Sequence, residues 1–212
     1  MVITSIERQP RRRRRVNLFV DGRFALSMAL GLAQEKGVHA GMTVDEAELE
    51  ALRLEDERRA AYEAAIHLLS YRPRSEREMR QRLRRHNIAA GVIDETIERL
   101  RASHYLDDAA FAQFWRESRE NISPRSARLI RSELLSKGVD SGTATSTVEG
   151  LDDEEAAYRA ASKRLKAHQG ESGDVFRRRM GGFLTRRGFS YDVIRRVLDR
   201  CRRELAGDGS PR

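Results

Sequence analysis

Residues 105–119 read YLDDAAFAQFWRESR, and this stretch determines how the rest of the chain is interpreted. Asp107 is placed to cap a helix by accepting hydrogen bonds from its first free backbone N–H groups. After it, residues that can share one buried helix face recur at three- and four-residue spacings. They are Phe111, Ala112, Phe114, Trp115 and Ser118. The stretch lies at the centre of a repeat that runs from about residue 57 to the C-terminus.

The repeat is clearest in three segments that align without a gap, with offsets of 51 and then 50 positions. They are residues 82–100 (RLRRHNIAAGVIDETIERL), 133–151 (ELLSKGVDSGTATSTVEGL) and 183–201 (FLTRRGFSYDVIRRVLDRC). One column holds Asn87, Gly138 and Gly188, residue types that end helices in the left-handed conformation. Repeats at this period indicate modular helical units. Four apolar columns support the alignment: Leu83, Leu134 and Leu184; Ile88, Val139 and Phe189; Ile93, Ala144 and Ile194; Ile97, Val148 and Leu198.

Helix-start signals precede each of these segments. Ser75 with Glu78 forms a capping box. Ser123 before Pro124 predicts a cap followed by proline at the first helical position, and Asp174 is a candidate cap in the third unit. A further helix is predicted before each start, over residues 57–70, 107–120 and 153–167. The sequence therefore predicts three units of three helices each.

The predicted fold is mainly α, an elongated array of three tandem three-helix repeats that follows a small N-terminal β-hairpin segment. Apolar residues are 39% and charged residues 35% of the chain, which favours several modules with thin cores over one large core. The predicted divisions are an N-terminal region (1–44), a linker helix (45–56), repeat 1 (57–104), repeat 2 (105–151), repeat 3 (152–206) and a flexible tail (207–212).

The N-terminal region contains a hairpin signal. Asp21-Gly22 separates two alternating apolar segments, and a type I′ turn needs positive φ at both central residues. Val2 to Ile6 is predicted as a further short strand. The alternating residues are Val16, Leu18 and Val20 before the turn and Phe24, Leu26 and Met28 after it. The run of five arginines from Arg11 to Arg15 stands at the hairpin's entrance, either as a solvated loop or as an arm that contacts an anion.

Charge limits the classes of partner. The net charge is +8 and the pI about 10.2, so the surface favours nucleic acid or an acidic protein face. Of the 41 basic residues only four are lysines, and a genome that prefers arginine codons is the simplest explanation. Whatever the cause, guanidinium groups bind phosphate and carboxylate in two-point geometry. The single cysteine, Cys201, excludes an internal disulfide. With no signal peptide or long apolar span visible, we expect a cytoplasmic protein.

The second helix of each unit carries the positive charge. Residues 72–86 hold seven arginines against Glu76 and Glu78, and residues 177–187 hold five without an acid. Residues 125–137 hold three arginines and Lys137 against Glu133. If the units stack in similar orientations, these helices form a basic stripe suited to a linear anionic partner or a filament groove. The plainer alternative is a solubilising face.

No catalytic or metal site is indicated. The five histidines are scattered without metal-ligand spacing, and Gly181-Gly182 lacks the lysine and hydroxyl residue of a P-loop. Cys201 falls in the apolar column of Leu100 and Leu151, so it is interpreted as a core residue. Sequence-specific reading of DNA by the last helix of each unit is also disfavoured, because only the third unit is basic there. We predict a binding protein without a cofactor.

The chain resembles the RecX family, the bacterial regulators of the RecA recombinase. The resemblance is carried by VNLFVDGRFALS at 16–27, LLSYRPRSEREMRQRL at 68–83, YLDDAAFAQFWRESR at 105–119 and FLTRRGFSYDVIRRVL at 183–198. The departures are Asn87, where glycine is usual in the family, and Ser123, where glycine is common.

The resemblance implies a negative modulator of RecA that lies along the groove of the RecA–DNA filament. It further implies inhibition of filament growth, ATP hydrolysis, coprotease activity and strand exchange. The alternative is a basic protein that binds DNA without RecA. We expect a monomer whose partners are the RecA filament and DNA held in it. The expected contact residues are Arg11, Arg12, Arg13, Arg14, Arg15, Arg72, Arg74, Arg77, Arg84, Arg125, Arg128, Arg131, Lys137, Arg186 and Arg187.

Overall fold

The computed structural model describes residues 1–10 and 14–207, and the arginines at 11–13 lie outside the described residues. Three strands open the chain: β1 Ile3–Arg8, β2 Arg15–Val20 and β3 Arg23–Ala29. The helices are α1 Leu30–Glu35, α2 Glu46–Tyr71, α3 Glu76–Arg84, α4 Ala90–Ala102, α5 Asp108–Ile122, α6 Ala127–Ser136, α7 Ser141–Val148, α8 Asp153–Leu165, a 3₁₀ turn Lys166–His168, α9 Gly173–Thr185 and α10 Tyr191–Gly207. The mainly helical fold with a small N-terminal sheet is as predicted.

The described chain divides into two compact units. The first comprises Met1–Arg72 and Met79–Tyr105, which hold the sheet and most of repeat 1. The second comprises Pro73–Glu78 and the chain from Leu106 onward, which hold the first turn of α3 with repeats 2 and 3. Helix α2 runs without a break through residue 57, so the predicted linker helix and the first helix of repeat 1 are one element.

The N-terminal sheet is antiparallel in the order β1-β2-β3, and the predicted hairpin is confirmed. Asp21 and Gly22 have φ of 46° and 77°, as a type I′ turn requires. The alternation does not extend to Phe24, because the strand register skips Ala25 and the Phe24 ring is exposed.

The helix-start prediction is confirmed for α5 but not for α6 and α9. Asp107 caps α5 by accepting hydrogen bonds from the N–H groups of Ala109 and Ala110. Two predicted caps are wrong. Helix α6 is capped by Ser126 rather than Ser123, and Asp174 lies inside the first turn of α9.

The repeat columns form the helical cores. Leu83, Leu134 and Leu184 are all fully buried, and Ile93, Ala144 and Ile194 are buried beside them. Asn87, Gly138 and Gly188 have φ of 57°, 89° and 86°, so the predicted left-handed stops are confirmed. Cys201 is buried in the repeat 3 core, and burial raises the pKa of its thiol to about 11.

Glycine is required at two of these stops for a second reason. A Cβ at Gly138 would lie 2.6 Å from the Cβ of Arg77, and one at Gly188 would lie 2.6 Å from the Oγ of Ser126. In both cases the contact is with the start of the preceding repeat's second helix. Asn87 ends the second helix of repeat 1 at an exposed position, where only the positive φ matters, and asparagine tolerates that.

We expect Gly188→Ala to lower the free energy of unfolding by about 3 kcal/mol, because strain at positive φ and steric overlap add. The overlap is with Ser126 Oγ and with Leu129 Cβ at 2.7 Å. Gly170→Ala is the control. Gly170 has φ of 84°, and a Cβ added there would meet nothing within 4 Å, so its substitution should cost only about 1 kcal/mol. Urea denaturation measures both, and equal losses would refute the steric argument.

Candidate partner interface

Of the arginine run before the hairpin, the structure describes Arg14 and Arg15, and these two residues differ in their surroundings. Arg14 is exposed, whereas Arg15 lies in β2 and its Nη2 is 2.7 Å from Oδ2 of Asp56 on α2. Asp56 is only 6% exposed and also accepts a hydrogen bond from the N–H of Ala29. Arg15 therefore fastens the sheet to α2. The predicted contacts at Arg11, Arg12 and Arg13 lie outside the described residues.

In repeat 1 the predicted contact residues fall into two groups. Arg72 and Arg74 are half-buried, and each has an interaction partner of its own. Arg77 and Arg84 are exposed on α3 and form no ion pair among the described residues. Arg80, which was not predicted as a contact, is paired with Asp94 on α4. The available charge of this helix is thus smaller than its sequence indicates.

In repeat 2 a polar network surrounds Trp115. Its Nε1–H donates to Oε2 of Glu133 at 2.7 Å, and the Nε of Arg119 lies 2.8 Å from the same oxygen. Arg125 forms an ion pair with the other oxygen of Glu133. The Glu133 side chain is only 14% exposed, so one largely buried carboxylate pairs with two guanidinium groups and accepts the indole hydrogen bond.

Lys137 extends this network to the start of α3, within the second unit. Its Nζ lies 4.0 Å from the centre of the Trp115 ring and 2.5 Å from Oε1 of Glu78. The carbonyl oxygen of Lys137 accepts a hydrogen bond from the Oγ of Ser75. The predicted contacts Arg125 and Lys137 therefore join elements of the fold.

Arg187 has a similar role between repeats 2 and 3. Its Nη1 donates to the Oγ of Ser123 and the carbonyl of Pro124, at 3.0 and 2.8 Å. The guanidinium groups of Arg164 and Arg187 both lie against the ring of Phe183, 4.2 and 4.5 Å from its centre.

Three arginines of repeats 2 and 3 have pKa values below the ordinary arginine value, chiefly because burial disfavours the charged form. Burial lowers the pKa of Arg119. Burial, and then the charges of Arg119 and Arg187, lower the pKa of Arg125. Burial, and then the charge of Arg164, lowers the pKa of Arg187. Because an arginine stays protonated in proteins, these shifts reflect the partial burial of the guanidinium groups, with a smaller contribution from neighbouring arginines at Arg125 and Arg187.

Of the remaining predicted residues, Arg128 and Arg186 are exposed and form no ion pair among the described residues. Arg128 makes only a 3.4 Å hydrogen bond to the carbonyl of Gly188. Arg131 is half-buried and donates to the hydroxyls of Thr145 and Ser141 at 2.9 and 3.0 Å, with no carboxylate partner among the described residues. The most accessible predicted cations are Arg14, Arg77, Arg84, Arg128 and Arg186.

Sequence reasoning missed Glu133 as the centre of the Trp115 network. The one feature of the sequence that could have indicated it is that Glu133 is the sole acidic residue among the basic residues at 125–137. Within the described ranges, no group of three histidine, cysteine, aspartate or glutamate side chains is placed to hold a metal ion. Nor is any described helix both long and apolar enough to cross a membrane.

Comparison with known protein families matches nearly the whole chain. The regulatory protein RecX N-terminal domain matches residues 1–45. The first, second and third three-helix domains of RecX match residues 61–100, 107–147 and 152–198. These matches follow the order of the sheet and the three repeats.

Individual relatives agree with the family matches. The regulatory protein RecX of Bacillus licheniformis is 31% identical over 199 residues, covering 92% of this chain and 76% of the relative. That of Bacillus cytotoxicus is 29% identical over 210 residues, covering 96% and 78%. A crystal structure of regulatory protein RecX shares the fold, with a TM-score of 0.62 and 23% identity over 93% of this chain and 98% of that one. The structure of RecX from Lactobacillus salivarius gives a TM-score of 0.57 and 25% identity, covering 69% and 97%.

Proposed function

Since the chain belongs to the RecX family, we propose that it is a negative modulator of the RecA recombinase that binds along the RecA–DNA filament. In this role it hinders filament growth and suppresses ATP hydrolysis, coprotease activity and strand exchange. The protein acts by binding rather than by catalysis, as a monomer in the cytoplasm, where RecA meets DNA.

One observation supports this proposal beyond family membership. The second helices of all three repeats expose arginines without a carboxylate partner among the described residues: Arg77 and Arg84 on α3, Arg128 on α6, and Arg186 directly after α9. A binding surface must keep some charge unpaired in the free protein, since internally paired cations have little left to offer a partner. These four arginines are the proposed contacts.

The direct test is ATP hydrolysis by RecA on single-stranded DNA, with and without this protein. We expect hydrolysis to fall as the protein approaches the RecA concentration, because bound protein blocks filament growth. An unchanged rate at a several-fold excess of this protein over RecA would refute the proposal. Bovine serum albumin at the same concentration controls for nonspecific effects.

The second candidate is a basic protein that binds DNA without RecA. It is favoured by the net charge of +8. Binding to DNA alone should then weaken steeply with salt, and a preformed RecA filament should add nothing to the affinity. Tighter binding to the filament than to bare DNA, measured at the same salt concentration, selects the first function.

A further inference from the structure

Helix α9 contains two adjacent glycines that its own structure does not require. Gly181 and Gly182 both lie in the helix interior, and neither has a positive φ. A Cβ at Gly181 would meet Leu198 Cδ1 at 3.8 Å, and one at Gly182 would meet Arg186 Nη1 at 3.5 Å. Both are ordinary contact distances. Alanine would therefore fit at either position and would make the helix more stable.

The two glycines border a groove of about 640 Å³ between α9 and α10. This volume is in the range of ligand sites, roughly 300–1,000 Å³. Ile194 and Leu198 contribute apolar surface to it. At Gly181 and Gly182 no side chain of α9 enters the groove, and a longer residue at Gly182 would fill part of it.

The groove carries cations and one exposed aromatic ring. Arg177, Arg178 and Arg195 line it, and none of them forms an ion pair among the residues that the structure describes. Its acidic lining residues are Asp174 and Asp199, so positive charge is in excess. Tyr191 lines the groove from the first turn of α10, and 77% of its surface is exposed. An exposed tyrosine beside arginines is the combination that stacks bases and contacts phosphates.

We propose that the groove between α9 and α10 binds a short segment of single-stranded DNA. A base stacks on the Tyr191 ring, the three arginines contact the backbone phosphates, and the glycines let the strand approach the helix closely. The inference deepens the proposed function and rests on it only for the choice of DNA as the anionic partner. An acidic peptide would use the same arginines but would gain little from the tyrosine face.

The test is fluorescence anisotropy with a labelled 15-nucleotide oligo-dT and the full-length protein, without RecA. We expect Gly182→Leu to weaken binding at least 10-fold while the melting temperature stays the same or rises, because leucine favours helix and occupies the groove. The matched control is Gly91→Leu. Gly91 also lies in a helix, and a Cβ added there would meet nothing within 4 Å, so this variant should bind as the wild type does.

A second variant tests stacking. Tyr191→Ala should weaken oligo-dT binding at least 5-fold and leave the binding of inorganic polyphosphate unchanged, since polyphosphate has no bases. The inference is overturned if the wild type does not bind oligo-dT, if Gly182→Leu or Tyr191→Ala binds it normally, or if poly-glutamate competes equally well. Inhibition of RecA by the wild-type protein remains a separate measurement, so either idea can fail alone.

Discussion

Replacing Glu133 by alanine is expected to lower the free energy of unfolding of the second unit by about 3 kcal/mol. The substitution leaves Arg119 and Arg125 half-buried without their carboxylate, and it leaves the Trp115 N–H without its acceptor. Removing one partner of a buried ion pair costs about 3–5 kcal/mol, and the partial exposure of these side chains places the loss near the lower end. Urea denaturation followed by tryptophan fluorescence measures it, because Trp115 is the only tryptophan.

Glu117→Ala is the matched control for this experiment. Glu117 is exposed on α5, where its carboxylate accepts a hydrogen bond from the side chain of Gln113 at 3.1 Å. Its removal should change stability by less than about 0.5 kcal/mol. If Glu133→Ala were no more destabilising than Glu117→Ala, the network around Trp115 would not stabilise the second unit.

Reversing the charge of Arg84, Arg128 and Arg186 to glutamate is expected to raise the concentration needed to inhibit RecA ATP hydrolysis at least 10-fold. Each substitution replaces a proposed attractive contact by a repulsive one, and like charges at an interface cost several kcal/mol. The helical content should remain, because none of the three side chains forms an ion pair among the described residues. Circular dichroism of each variant checks this.

The control for charge reversal changes the same total charge elsewhere. Arg8, Arg23 and Arg203 are exposed on β1, β3 and α10, outside the proposed contact helices. Their joint reversal to glutamate should leave inhibition within about 2-fold of the wild type, since distant exposed charges are screened by salt. Equal losses in both triple variants would mean that net charge alone governs binding. If the variant with Arg84, Arg128 and Arg186 reversed still inhibited RecA, these arginines would serve only to keep the protein surface soluble.

The helical units could be predicted from sequence because their signals are local. The left-handed stops at Asn87, Gly138 and Gly188 were found because few residue types tolerate positive φ. The caps of α6 and α9 were predicted wrongly, because Ser123 and Asp174 lie near residues equally able to start a helix, and packing chooses among them. The outward turn of Phe24 depends on a strand bulge that the alternating pattern does not reveal.

The environment of the arginines was harder to predict, because those that pair within the fold and those that form no ion pair among the described residues look alike in sequence. Arg15, Arg125 and Arg187 were grouped with the proposed contacts by charge alone, yet they bind Asp56, Glu133 and the Ser123-Pro124 loop. Their partners lie between 8 and 64 positions away in the chain. No local pattern separates such an arginine from Arg84 or Arg186, which form no ion pair among the described residues.

The amino-acid sequence by itself determined the repeat, its helices and its left-handed stops, since backbone preferences and apolar spacing act over a few residues. Only the tertiary structure decided which arginines remain available to a partner and which hold repeats together. The physical reason is that a side chain's charge is set by its type, whereas its pairing and burial depend on residues that folding brings near it.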